Sequence, residues 1–159
     1  PAEGLVLLNT LRVDGPRLEW LNAAILRAVE TGGLRLLRDL LAPLLFGEAW
    51  QAANRAGFLR EEPYTAPLAD DPDLALLRAS ATARWDLAYE RIDVPVMVVT
   101  GLQDRVFLDR EVVARLSARL PRAIGREIAS AGHMLPAEAP DAVVEACLEL
   151  AGAGGGGPR

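Results

Sequence analysis

The sequence predicts an α/β fold: about three parallel strands in one sheet, covering helices, and a helical insertion after the first strand. Three observations predict it. GLVLLNT, VPVMVVTG and AIGREIAS are short apolar runs of strand length. The long stretch between the first two runs repeats its leucines at helical spacing and carries no strand signal. Beyond that stretch, strand and helix patterns alternate, which in a chain of this size means parallel strands joined by crossover helices.

Taken in order, Gly4 to Thr10 is a continuous apolar run that turns polar at its end, as a strand buried on both faces does. Leu18, Leu21, Ile25 and Val29 then mark a helix that Gly32-Gly33 ends. Leu34, Leu37, Leu41 and Leu44 mark a second, disturbed near Pro43. GEAWQAANRAGFLR suggests a third. ADDPDLALLRASATARWDLAYE supplies one or two more, with Asp71 or Asp73 as a cap. Val94 to Gly101 is a second strand, rich in β-branched residues. DREVVARLSARLP is an amphipathic helix stopped by Pro121, with Asp109 as its cap. AIGREIAS is a third, weaker strand. PAEAPDAVVEACLELAG closes the order as a helix whose first turn suits Pro140 and Asp141. Cys147 is expected to be buried on that helix.

Composition excludes several classes of function. A net charge of −5 leaves no basic face for a phosphate backbone, so nucleic acid is not an expected partner. No apolar run reaches the roughly 18 residues of a membrane span, because Arg, Asp or Pro interrupts each one. A single cysteine cannot form an internal disulfide, and PAEGLVLLNT lacks the basic start of a signal peptide. A cytoplasmic location fits both facts. The DDPD run fits a helix cap, and no His or Cys lies near it to complete a metal site.

In an open parallel sheet, ligands bind beyond the carboxyl ends of the strands. Three polar positions fall there: Asn9, Thr10 and Asp14 after the first run, Asp104 in GLQD after the second, and His133 in AGH after the third. His133 is the only histidine. Adjacent strands would set Asp104 and His133 on one edge. A carboxylate that accepts a hydrogen bond from a histidine Nδ1–H fixes its tautomer and stabilises the imidazolium, which makes the ring a usable general base.

With these motifs in place, the chain resembles the C-terminal half of an α/β-hydrolase. VPVMVVTGLQDRVF looks like that family's seventh strand and acid turn. AIGREIASAGHMLPAEAPDAVVEACLEL looks like its eighth strand, histidine loop and last helix, and GLVLLNT looks like its sixth strand. The resemblance implies core residues 1–15 and 91–150, a helical cap at 16–90, and a disordered Gly-rich tail at 151–159. It implies Asp104 as triad acid and His133 as triad base, with Asp14 as an alternative acid. Cap surfaces line the acyl pocket in the family, so Trp20, Leu44, Phe46 and Trp50 are candidate substrate-binding residues, with Met134 beside the histidine. No cofactor and no metal are implied. The family's G-x-S-x-G elbow does not occur in the sequence, and Ser80, Ser117 and Ser130 sit on no strand-to-helix turn.

Two expectations follow. In one, the chain is part of an enzyme that hydrolyses an ester, lactone or thioester through a serine supplied elsewhere. In the other, it is a non-catalytic remnant that binds a partner. With three strands only, the edge at residues 4–10 would be bare and apolar, and would invite a partner chain or a homodimer.

Overall fold

The computed structural model of the protein describes residues 2–154. Three strands, β1 (Leu5–Leu8), β2 (Val96–Gly101) and β3 (Ala123–Ile128), form one all-parallel sheet in the order β1-β2-β3. Leu5 pairs with Val96, and Val96 with Ala123. All six residues of β2 are buried, as expected of a central strand whose sequence is apolar throughout.

Each strand sends alternate side chains to opposite faces, and each face has its own core. On one, Leu5, Leu7, Val96 and Val98 pack with Val112 and Leu116 of helix α4 (Arg110–Ser117) and with Leu11, Tyr89 and Leu120. On the other, Val6, Leu8, Met97 and Val99 pack with Leu135 of α5 (Leu135–Glu138) and with Val143, Ala146 and Leu150 of α6 (Pro140–Gly154). The sheet is thus an α/β-hydrolase-type partial core with helices on both faces and a helical insertion between β1 and β2.

The residues divide into two compact units. The sheet unit takes in the chain up to Arg12, Leu44–Ala53 and the chain from Ala88 on. The helical unit is Val13–Pro43 with Asn54–Leu87. Helix α1 (Pro16–Leu45) is interrupted at Gly32-Gly33, where the sequence places a helix end, and Gly33 has φ of +71°, a conformation glycine tolerates. Pro43 does not end it. Helix α3 (Pro72–Ala81) starts at Asp71, whose Oδ1 accepts from the amides of Asp73 and Leu74. Among the described residues of this unit only Val29, Gly32, Ala42 and Leu74 are fully buried.

Residues 44–53, which include α2 (Glu48–Asn54) up to Ala53, pack with the sheet rather than with the other helices. Backbone bonds explain this. The Leu44 carbonyl accepts from the Arg105 amide and the Leu45 carbonyl from the His133 amide. The Glu48 amide donates to Gln103 Oε1 at 2.8 Å.

Two sequence expectations need correction. Cys147 is exposed, because the sheet-facing stripe of α6 is Val143, Ala146 and Leu150, and position 147 lies on the flank of that stripe, about 100° around from Ala146. Residues 151–154, expected in a disordered tail, continue α6. An established helix gains one backbone hydrogen bond for each residue it adds, which carries α6 onward although each glycine costs about 1 kcal/mol relative to alanine. The rest of that tail, 155–159, lies outside the described residues.

Candidate active site

β2 ends at Gly101 and the chain turns sharply through Leu102, Gln103 and Asp104. The turn is held by Asp104 itself. Its Oδ1 accepts from the amides of Val106 and Phe107, both at 2.9 Å. This is the same local pattern by which Asp71 and Asp109 cap helices. Asp104 differs in burial, at 4% exposure, and in the use of its second oxygen. Oδ2 lies 2.7 Å from Nδ1 of His133.

His133 arrives on the loop after β3. Two glycines let that loop come close. A Cβ on Gly101 would be driven into the carbonyl oxygens of Ala131 and Gly132, and one on Gly132 into the Leu45 carbonyl. The letters G in GLQD and in AGH are therefore required by close backbone packing rather than by unusual torsions. The His133 ring sits against Phe107, with centroids 4.7 Å apart and planes tilted by 39°. Because Nδ1 is engaged by the carboxylate, the neutral ring carries its accepting lone pair on Nε2.

Burial pushes the Asp104 carboxyl upward. The hydrogen bond from His133, the amides of Phe107 and Val106 and the histidine charge outweigh that push and hold it below the ordinary aspartate value. Arg12 lies nearby, with its guanidinium 4.6 Å over the Phe107 ring and an Nη donating to the Asn9 carbonyl at 3.2 Å. Burial lowers the Arg12 value, against the opposing pull of Asp104 and Tyr89.

The structure joins Asp104 to His133 and not to the competing acids. Asp14 accepts from the Trp85 amide and faces Arg84 within the helical unit. Asp109 caps α4. Of the candidate substrate-binding residues, Leu44 flanks Leu45, whose carbonyl accepts from the His133 amide, and Phe46 follows it. Phe46 stacks on Trp50, with centroids 3.8 Å apart. Met134 adjoins His133 and is 44% exposed. Trp20 belongs to the helical unit, where it is 80% exposed.

Several residues at the site carry no signal in the sequence. Phe107 touches the ring, and Glu138 and Gln103 fasten the surrounding backbone. Glu138 sits five residues past the histidine, where a glutamate at a helix end looks like ordinary surface. Among the described residues, no group of His, Cys, Asp and Glu is arranged to hold a metal, and no helix is long and apolar enough to cross a membrane.

Comparison with known proteins settles the family. The profile of the alpha/beta hydrolase family matches residues 1–146. The chain belongs to that family. No curated protein matches it. Among solved structures, a thermophilic esterase from Thermogutta terrifontis is similar, with 22% identity, a TM-score of 0.72, and coverage of 96% of this chain and 56% of its own. The enol-lactonase from Burkholderia xenovorans has 18% identity and a TM-score of 0.61, covering 94% of this chain and 56% of its own. MenH from S. aureus has 16% identity and a TM-score of 0.64, covering 97% and 60%. At these identities the likeness is one of fold. This α/β-hydrolase chain spans little more than half the length of the structures it matches.

Proposed function

We propose that Asp104 and His133 are the acid and base of a hydrolytic triad whose nucleophile is a serine outside these residues. The observation that carries the reading is the 2.7 Å contact between Asp104 Oδ2 and His133 Nδ1. In this scheme Nε2 of His133 takes the proton from the serine hydroxyl as its oxygen attacks an ester, lactone or thioester carbonyl. The imidazolium, stabilised by the Asp104 carboxylate, then returns the proton to the leaving alkoxide or thiolate. A water attacks the acyl-enzyme, again losing its proton to Nε2, and the serine leaves with that proton restored. Leu44, Phe46, Trp50 and Met134 would wall the acyl group.

The test joins the chain to a nucleophile-bearing segment, encoded upstream in frame or on a partner, and measures turnover of a p-nitrophenyl ester. Asp104→Asn should cut kcat by about 10⁴-fold and leave substrate binding intact, because a wrongly oriented imidazole cannot serve as base. Unchanged turnover would sink the assignment.

A second reading is that the chain serves as a partner-binding module through the outer edge of β1. It is favoured by the lack of any charged residue along Leu5–Leu8. The occupant would be a strand, from another segment or a second copy. Ester hydrolysis that is lost in His133→Ala argues against a purely binding role.

A further inference from the structure

We propose that Asn9 and Glu138 are positioning residues that clamp the His133 backbone from two sides, so that the ring is set before any substrate arrives. The inference rests on the reading of His133 as the base of the site. Backbone N–H and C=O groups withdrawn from water need partners, and those of the histidine loop find them on two sides. The Gly132 amide donates to Glu138 Oε2 at 2.8 Å, and the Met134 amide to Oε1 at 2.9 Å. The His133 amide between them donates to the Leu45 carbonyl. On the other side, Asn9 Nδ2 donates to the carbonyls of Gly132 at 3.0 Å and of His133 at 2.9 Å. Every polar backbone group of Gly132 and His133 is thereby engaged by a partner outside the loop's own turn.

Each clamp also reaches a second element. Glu138 Oε2 accepts from the Gly47 amide at 2.6 Å, which fastens the segment before α2 to the histidine loop. Asn9 Oδ1 accepts from the Gly101 amide at 2.8 Å, at the end of β2. Asn9 has φ of 51°, in the left-handed region that asparagine tolerates better than most residues. A carboxylate that takes three amides accepts only, and a side-chain amide both donates and accepts, so the two residue types match their tasks.

Torsions at residue 133 decide where the imidazole projects, and with them fixed Nδ1 meets Asp104. Loosening either clamp should therefore free the ring. The test uses isotope-labelled histidine in the full chain, where a single histidine makes assignment immediate. Glu138→Gln puts an NH₂ against amide donors, and Asn9→Gly keeps the left-handed backbone while removing the side chain. Each is expected to speed exchange of the His133 Nδ1–H by about tenfold or more, the scale set by losing a charge-assisted hydrogen bond. Asp109→Ala, which removes the α4 cap, should destabilise the same unit without changing that exchange. Unchanged exchange in a folded clamp variant overturns the role of that residue, and an equal change in Asp109→Ala overturns the clamp altogether. Where a variant does not fold, the unsubstituted chain decides. Slow amide exchange at Gly47, Gly132 and exposed Met134 supports the clamp, and fast exchange there refutes it. The signal reports on the ring whether or not the ring catalyses, so it is independent of the ester assay.

Discussion

β1 and β3 both flank β2 in parallel, yet their outer edges are unlike. β3 carries Arg126, which reaches Glu145 at 2.5 Å and Glu149 at 3.8 Å on α6, and Glu127, which pairs with Arg110 at 3.1 Å on α4. Ile124, Gly125 and Glu127 are exposed. β1 reads LVLL and offers no charge at all. Charges on an edge strand discourage further pairing, because another chain would have to desolvate them. β3 is finished as an edge, and β1 is not. The sheet is asymmetric by sequence, with one side closed by ion pairs and the other left apolar.

The largest expected effect comes from proline on β1. The Leu5 amide donates to Pro95 and the Asn9 amide to Val99, so by the alternation of a parallel ladder the Leu7 amide faces β2 while the amides of Val6 and Leu8 point away from it. Leu7→Pro should cost about 3 kcal/mol or more, and Val6→Pro much less, since an edge strand tolerates proline where its N–H points away. Urea midpoints measure both. If the β1 edge takes a strand, Val6→Pro should also abolish that association in sedimentation. Equal losses of stability from the two prolines would refute the outward assignment of Val6.

A smaller effect is expected on the closed side. Glu127→Val removes an exposed pair worth no more than about 1 kcal/mol. Its consequence should be self-association through β3, read by light scattering. A variant as monodisperse as the parent would show that the charges do not guard the edge.

The subtlest test concerns the bond that links the β3 loop to the turn after β2. Folding holds the Asp104 carboxyl below its ordinary value. Its contribution to stability is therefore fully present above the unfolded value of about 4 and is lost as pH falls through the lower folded value. Asp104→Asn has no carboxyl to protonate there, so its stability should fall less steeply on the acid side. Parallel acid limbs in chain and variant would remove Asp104 from the account.

The strands, the order of helices and the meeting of Asp104 with His133 were legible because each rests on a local signal: apolar run, helical spacing, a G before a D or an H. The clamp was not legible in the same way. Glu138 and Gly47 stand 91 residues apart, and nothing in either neighbourhood announces the bond. Asn9 was readable as a polar residue at a strand end, but not as the holder of two carbonyls on another loop. Cys147 departs from the sequence expectation for a simpler reason. EACLEL is apolar enough that its inward stripe can be drawn through either of two neighbouring positions, and packing against Met97 and Val99 selects Ala146.

The register of the sheet has a bearing on how the chain acquires it. Val96 meets Ala123 across a short crossover, whereas Leu5 meets Val96 only after a loop of roughly 90 residues has closed. Local contacts form early and distant ones late. The Asn9 side of the grip on the histidine therefore depends on the longest loop closure in the sheet, whereas the Glu138 side joins residues six apart in the chain.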